Sequence, residues 1–284
     1  MLAAVNHAIY LLTEAGDLVW LASADSPMHR RCVRWPDPLP EVTVDTLFRV
    51  QDRSIDLASG IKLELSPSKV WEAPSVPVQE VIDLDILPYK LSAVFETFSF
   101  QESPLDVGLF IRSVLQIARN EQLDTDFMPE DALSRRVWTA VERIARACLH
   151  RDLSELLKET EPLIGLGEGL TPTGDDFLGG LFFAIFILSC SDPTIHYYGP
   201  ANLPEWVDKH RSRTNQISFA LLKDNASGHA LEPLNRFGIA LLTDGLVENV
   251  TSAVVDLVKV GHSTGCNLLA GFVTGMLLVY PKSG

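Results

Sequence analysis

The chain has 284 residues, 46% hydrophobic and 21% charged, a composition that excludes a disordered chain and fits an ordinary folded one. Its 37 acidic residues outnumber 23 basic ones, leaving a net charge of −14. A field of that sign repels phosphate backbones and anionic lipid, so no nucleic acid and no membrane surface is expected as a partner. A small anionic substrate remains open, provided local dipoles or a few cations oppose the field.

Ala8–Leu12 and Leu18–Ala22 are apolar runs joined by Thr13-Glu14-Ala15-Gly16-Asp17, a hairpin signal in which Gly16 is free to take a positive φ. Thr43–Val50 and Ile61–Leu65 continue the short-strand pattern, with Ala58-Ser59-Gly60 as a turn. Pro74, Pro77 and Pro88 then break any long element. Residues 1–90 therefore read as a small β-barrel or sandwich. From Pro104 the apolar spacing becomes helical, over Leu105–Asn120, Ala132–His150, Leu153–Leu163, Gly174–Ser189, Pro204–Ala226, Leu231–Thr243, Leu246–Val260 and Gly265–Tyr280. Residues 91–284 read as a mainly α-helical domain, and the whole as α+β.

The apolar runs Leu178–Ser189 and Leu268–Tyr280 are each shorter than the roughly 20 residues a membrane helix needs, and read as buried core helices. Cys32, Cys148, Cys190 and Cys266 include no CxxC pair. The N-terminus lacks the basic region and cleavage site of a signal peptide, so a cytoplasmic protein with reduced thiols is the expectation.

Two glycine-rich segments carry the chemistry. In Gly165-Leu-Gly-Glu-Gly-Leu-Thr-Pro-Thr-Gly-Asp-Asp176, the glycines let the backbone approach a ligand closely, and Thr173 is placed to cap a helix with Asp176 completing a variant capping box. Unpaired N–H groups at such a helix start form an anion site, which makes Gly167, Gly169, Thr171, Thr173 and Gly174 candidate phosphate or substrate binders. No Gly-Lys-Ser/Thr follows, so this is not a P-loop, and no βαβ unit surrounds it. Asp175 and Asp176 either complement the helix dipole or, beside an almost wholly apolar helix, orient a substrate amide or bind magnesium, the one cofactor the sequence suggests.

The second segment is Gly261-His262-Ser263-Thr264-Gly265-Cys266-Asn267. His262 is a candidate general base or hydrogen-bond donor, and Ser263, Thr264, Gly265 and Asn267 are candidate ligand contacts. Cys266, near a helix start, is a weaker candidate nucleophile with no evident base. The stretch from Thr173 to Gly180 aligns with Thr264 to Gly271 at an offset of 91 residues, four positions being identical and Asp176 matching Asn267. Such likeness suggests two similar helix starts facing one site. A basic run, Lys209-His-Arg211-Ser-Arg213, offers Arg211 and Arg213 for a carboxylate or phosphate; His29-Arg30-Arg31 with Arg34 is a second, lesser cluster. No Gly-x-Ser-x-Gly, His-Glu-x-x-His or EF-hand pattern is present.

Gly167–Gly180 and Gly261–Gly271 resemble the two signatures of a bacterial family labelled as carboxylases, one branch of which is the third subunit of the oxamate carbamoyltransferase of allantoin catabolism. The hairpin from Ala8 is similar to that family's N-terminal segment. The resemblance implies a carbamoyltransferase enzyme or subunit acting on an oxamate- or oxalurate-like anionic amide with phosphate or carbamoyl phosphate, with other transferase subunits as partners. A non-catalytic metabolite-binding or assembly subunit is the alternative. The second signature commonly ends in Ser-Gly-x-Asp, whereas this chain has Thr264-Gly265-Cys266-Asn267, which removes one carboxylate and weakens any symmetric metal site.

Overall fold

A computed structural model describes residues 2–5, 7–35, 38–51, 53–57, 60–65, 70–74, 86–99, 107–119, 132–191, 203–243 and 246–280. The architecture is α+β, with N-terminal sheets followed by helices, and the chain divides into two compact units, Met1–Pro74 and Ser75–Gly284.

The first unit holds β1 (Ala3–Val5), β2 (Ala8–Leu12), β3 (Leu18–Ala22) and β4 (Cys32–Arg34) in one sheet, and β5 (Phe48–Gln51), β6 (Ser54–Leu57) and β7 (Lys62–Glu64) in another. The β2–β3 hairpin pairs Ala8 with Ala22 and Leu12 with Leu18, and Gly16 closes it at φ 86°. Ile9, Leu11 and Leu21 from one sheet share a buried cluster with Ile55 and Leu57 from the other. Among the described residues neither sheet closes on itself, so the two sheets give the sandwich form and not the barrel. The expected strand at Thr43–Val50 forms only from Phe48, because Asp45 turns the chain at φ 72°. Ala58 and Ser59 lie outside the described residues.

The second unit consists of ten described helices: α1 (Leu87–Ser99), α2 (Val107–Ala118), α3 (Ala132–His150), α4 (Leu153–Thr160), α5 (Thr173–Ser191), α6 (Leu203–Lys209), α7 (Gln216–Ala226), α8 (Glu232–Leu242), α9 (Val247–Val258) and α10 (Thr264–Met276). Helix α1 was not expected, since Pro88 reads as a breaker. Proline is tolerated in a first helical turn, where its missing N–H would be unpaired anyway, and Pro88 occupies that turn. The buried Lys90 of α1 donates from Nζ to the carbonyls of Ala240, Leu241 and Thr243, a cation satisfying the open end of α8. The single helix expected over Pro204–Ala226 is two, because Asn215 starts α7 afresh by accepting from the Ile217 and Ser218 N–H groups, both at 3.0 Å.

Helices α5 and α10 form the centre, buried on nearly every face. Thr173–Cys190 is long and apolar enough to cross a membrane by composition alone, but 83% of that window is buried inside the fold, the condition of a core helix. The two helices touch backbone to backbone. A Cβ on Gly180 would stand 1.9 Å from the Leu268 carbonyl oxygen, and one on Gly271 would stand 1.8 Å from that of Phe177. Each contact is the other displaced by 91 residues. Gly275, further along α10, meets Ala184 and Leu181 further along α5, so the helices run parallel with their starts at the same end.

Either Gly180→Ala or Gly271→Ala therefore forces two buried backbones apart. Each is expected to lower unfolding free energy by about 3 kcal/mol or more, the upper range of overpacking. Urea denaturation is the measurement, and a loss under about 1 kcal/mol for both would contradict the close approach.

Candidate functional site: the joined starts of two parallel helices

The first loop folds back onto the helix it leads into. Gly165, Gly167 and Gly169 take φ values of 69°, 121° and 91°, a region closed to most side chains. The Gly174 N–H returns to the Leu166 carbonyl at 2.8 Å. Among the described residues, the N–H groups of Gly167, Glu168, Gly169, Leu170 and Thr171 donate no hydrogen bond. Thr173 is not the cap: the first helical bond runs from the Asp176 N–H to the Pro172 carbonyl at 3.0 Å, so Pro172 holds the cap position and the expected capping box is not formed.

The adjacent aspartates do different things. Asp175, 3% exposed, accepts the Gly165 N–H at 2.8 Å on Oδ1, and the Thr214 and Ser218 hydroxyls on Oδ2, the latter at 2.7 Å. It is a tie between the glycine loop, α5 and the start of α7. Asn215 reinforces the tie by donating from Nδ2 to the Leu170 carbonyl at 3.0 Å. The basic run lies against the same loop, with the Arg213 carbonyl at the Gly165 backbone. Both arginines are exposed; Arg211 lies 5.0 Å over the Phe219 ring, and Arg213 pairs with Glu161 at 3.8 Å.

Asp176 has little to hold it. It is 6% exposed, and its Oδ2 is buried with no hydrogen-bond partner. Burial pushes its pKa well above the ordinary carboxylate range; the nearby hydroxyls of Thr264 and Thr171 oppose that, and the charge of Asp175 adds to it. Thr171 and Thr264 are themselves joined, Oγ1 to Oγ1, at 3.1 Å. This contact brings the two glycine-rich segments together at Asp176.

The start of α10 repeats that of α5. Gly174 packs on the Leu163 carbonyl and Gly265 on that of Leu257, each the end of the preceding helical segment. The Gly265 N–H returns to Val260 at 2.9 Å, as that of Gly174 returns to Leu166. The register set by Gly180 and Gly271 places Asn267 level with Asp176. Asn267 is 3% exposed, and its Nδ2 is buried without a partner. Ser263 stands at the cap of α10 but makes no side-chain cap bond, and no acidic residue lies in the first turn.

The remaining expectations divide. Thr171, Thr264, Gly265 and Asn267 gather with Asp176, whereas His262 is exposed on the turn before α10 with no described hydrogen bond or ion pair. The Cys266 thiol is pushed up by burial, the opposite of an activated nucleophile. Among the described residues, no three His, Cys, Asp or Glu side chains are grouped to hold a metal ion. Asn225 was not anticipated. It is buried on α7, its amide faces Gly179 of α5, and its Oδ1 also lacks a partner. Nothing local in the sequence marks it, since it closes the polar run Lys223-Asp224-Asn225 at the end of α7.

Residues 163–276, the segment holding both loops and α5 to α10, match the family described as oxamate carbamoyltransferase subunit AllH. No solved structure matches the chain.

The aspartates should separate in stability measurements. Asp175→Ala leaves three donors unpaired and is expected to cost roughly 2–4 kcal/mol. Asp176→Asn is expected to leave stability within about 1 kcal/mol at low pH. Because the folded-state pKa of Asp176 is raised, its contribution is complete in acid and is lost as pH rises from about 4, its unfolded value, through the folded one. Denaturation curves across pH should show this decline in the wild type and lose that component in Asp176→Asn; identical pH dependence in both would refute the assignment.

Proposed function

We propose, from the premise that residues 163–276 belong to the oxamate carbamoyltransferase subunit AllH family, that the chain is a subunit of a carbamoyltransferase complex and holds a small anionic amide at the joined starts of α5 and α10. The observation that carries this reading is the pair of unpartnered buried groups, Asp176 Oδ2 and Asn267 Nδ2, on two parallel helix starts. Buried polar groups without partners are uncommon and costly, and a ligand would satisfy both.

Two positive helix ends side by side favour an anion between them. The Thr264 and Cys266 N–H groups lie in the first turn of α10 with Asn267 Nδ2, a set of donors suited to a carboxylate. The Gly167–Thr171 loop, with its undonated N–H groups, suits phosphate or the phosphate of carbamoyl phosphate. Arg213, whose carbonyl lies against Gly165 at the start of that loop, and Arg211 two residues before it add positive charge in an acidic protein. With both oxygens of Asp175 committed, a magnesium ion would find only the Asp176 carboxyl group of the aspartate pair, so we assign magnesium to the incoming phosphate and not to a resident site.

The reaction consistent with this site is phosphorolysis of oxalurate. A phosphate oxygen bonds to the ureido carbonyl carbon, the bond from that carbon to the oxamate nitrogen breaks, and the nitrogen takes a proton, giving oxamate and carbamoyl phosphate. The raised Cys266 thiol gives no support to a covalent intermediate on this chain, so substrate holding is the role proposed for it. The reading is tested with the chain assembled with its partner subunits. Asn267→Ala and Thr264→Ala should raise KM for oxalurate about tenfold or more, and omission of the chain should abolish carbamoyl phosphate release. Turnover unaffected by the chain's omission would overturn the proposal.

A further inference from the structure

The two helix starts are equivalent in backbone and unequal in chemistry. Helix α5 carries Asp175 and Asp176 in its first turn; α10 carries no acidic residue there and places Asn267 level with Asp176. The unpartnered atom on α5 is a carboxyl oxygen, and on α10 an amide nitrogen, which can only donate. A symmetric ligand would leave one of the two ill-matched.

We propose that this inequality sets the direction in which an unsymmetrical ligand lies: its carboxylate on the α10 start against Asn267, and its uncharged amide N–H end on the α5 start against Asp176. The inference rests on the functional reading above and adds to it the orientation of the ligand and the residue that selects it. Three features agree. The α10 start has no side-chain cap and no carboxylate of its own, so its dipole and the N–H groups of Thr264 and Cys266 remain for a negative group. The α5 start already has two carboxyl groups, and a ligand carboxylate there would have to share a proton with Asp176. The Thr171 and Thr264 hydroxyls, bonded to each other beside Asp176, lie where the two ends would meet and can accept or donate to either. Glu168 and His262 are exposed, and the oxygens of Asp175 are committed, so Asp176 is the carboxyl group left to discriminate between ligand ends.

Oxamate and oxalate differ only in that one carboxylate replaces one amide, which makes them the probes. A second ligand carboxylate placed against Asp176 obliges the two carboxyl groups to share a proton; asparagine at that position removes the obligation. Calorimetric titration of the full chain with each acid should give oxamate at least about tenfold tighter binding than oxalate. Asp176→Asn should tighten oxalate about tenfold while changing oxamate by no more than about threefold. Asn267→Asp should weaken both, and Asn267→Ala should weaken both without altering their ratio.

If both acids bind and Asn267→Ala weakens them, but the oxamate-to-oxalate ratio is unchanged by Asp176→Asn, the orientation is wrong and the functional reading stands. If oxamate binding is absent, or indifferent to Asn267, the functional reading fails and the orientation falls with it. Circular dichroism melts of each variant separate lost binding from lost folding, and Asp176→Ser supplies a second neutral variant expected to shift the ratio in the same direction.

Discussion

The contact between the backbones of α5 and α10 is the constraint from which the candidate site in the helical unit follows. Gly180 and Gly271 allow two helices to approach more closely than any side chain permits, and they do so reciprocally, each against a carbonyl of the other helix. Close approach sets the register. Register in turn puts the residue at each position of α5 beside its counterpart in α10, and the two first turns at one end. Antiparallel neighbours would oppose their dipoles; parallel ones add them, and the combined positive end must be offset by negative charge. The fold thus creates an electrostatic demand at the place where the ligand is proposed to sit.

That demand is met unevenly, by adjacent residues with separate tasks. Asp175 spends its oxygens on Gly165, Thr214 and Ser218, holding the glycine loop against the start of α7. The loop would otherwise be a chain of positive-φ residues with few contacts of its own. Asp176, one residue on, points into the α5–α10 junction and is left with an unsatisfied oxygen. The first aspartate organises the backbone so that the second can be held in an unfavourable state. An isolated carboxyl at that depth is tolerated because it can remain protonated, whereas an isolated carboxylate would cost several kcal/mol. Asn267 completes the arrangement without charge. Burying a second carboxyl beside the first would have compounded the desolvation of both.

Much of this was legible in the residues, for identifiable reasons. The β2–β3 hairpin and α3 stand where alternation and helical spacing put them, because each repeats one period cleanly between turn signals. Helix α1 was obscured by Pro88, whose meaning depends on whether it falls in a first turn or an interior one. The break between α6 and α7 falls in a wholly polar run, Asp208 to Gln216, which shows no period of either kind; the capping role of Asn215 marks the new start. At the site, the equivalence of Asp176 and Asn267 could be read from the repeated Thr-Gly-x-x pattern. The commitment of Asp175 could not, since its hydroxyl partners lie 39 and 43 residues away and nothing local announces them. Nor could the idleness of Asn225 Oδ1 be read, since it depends on packing across α5 and α7.

A repeated element that keeps the glycines of its closest contacts, Gly180 and Gly271, and exchanges the polar residue at positions 176 and 267 has an advantage over two unrelated helices. The retained glycines preserve the distance and level between positions 176 and 267, so a change from carboxylate to amide alters chemistry without altering geometry. Had both positions kept a carboxyl group, the junction would suit a cation or a ligand with donors at both ends. With both as amides, it would suit an anion in either direction. One of each gives a site with two distinguishable ends, which is what a molecule carrying an acid on one side and an amide on the other requires. The proposed polarity of the ligand rests on one of the four differences between the aligned helix starts, Asp176 against Asn267.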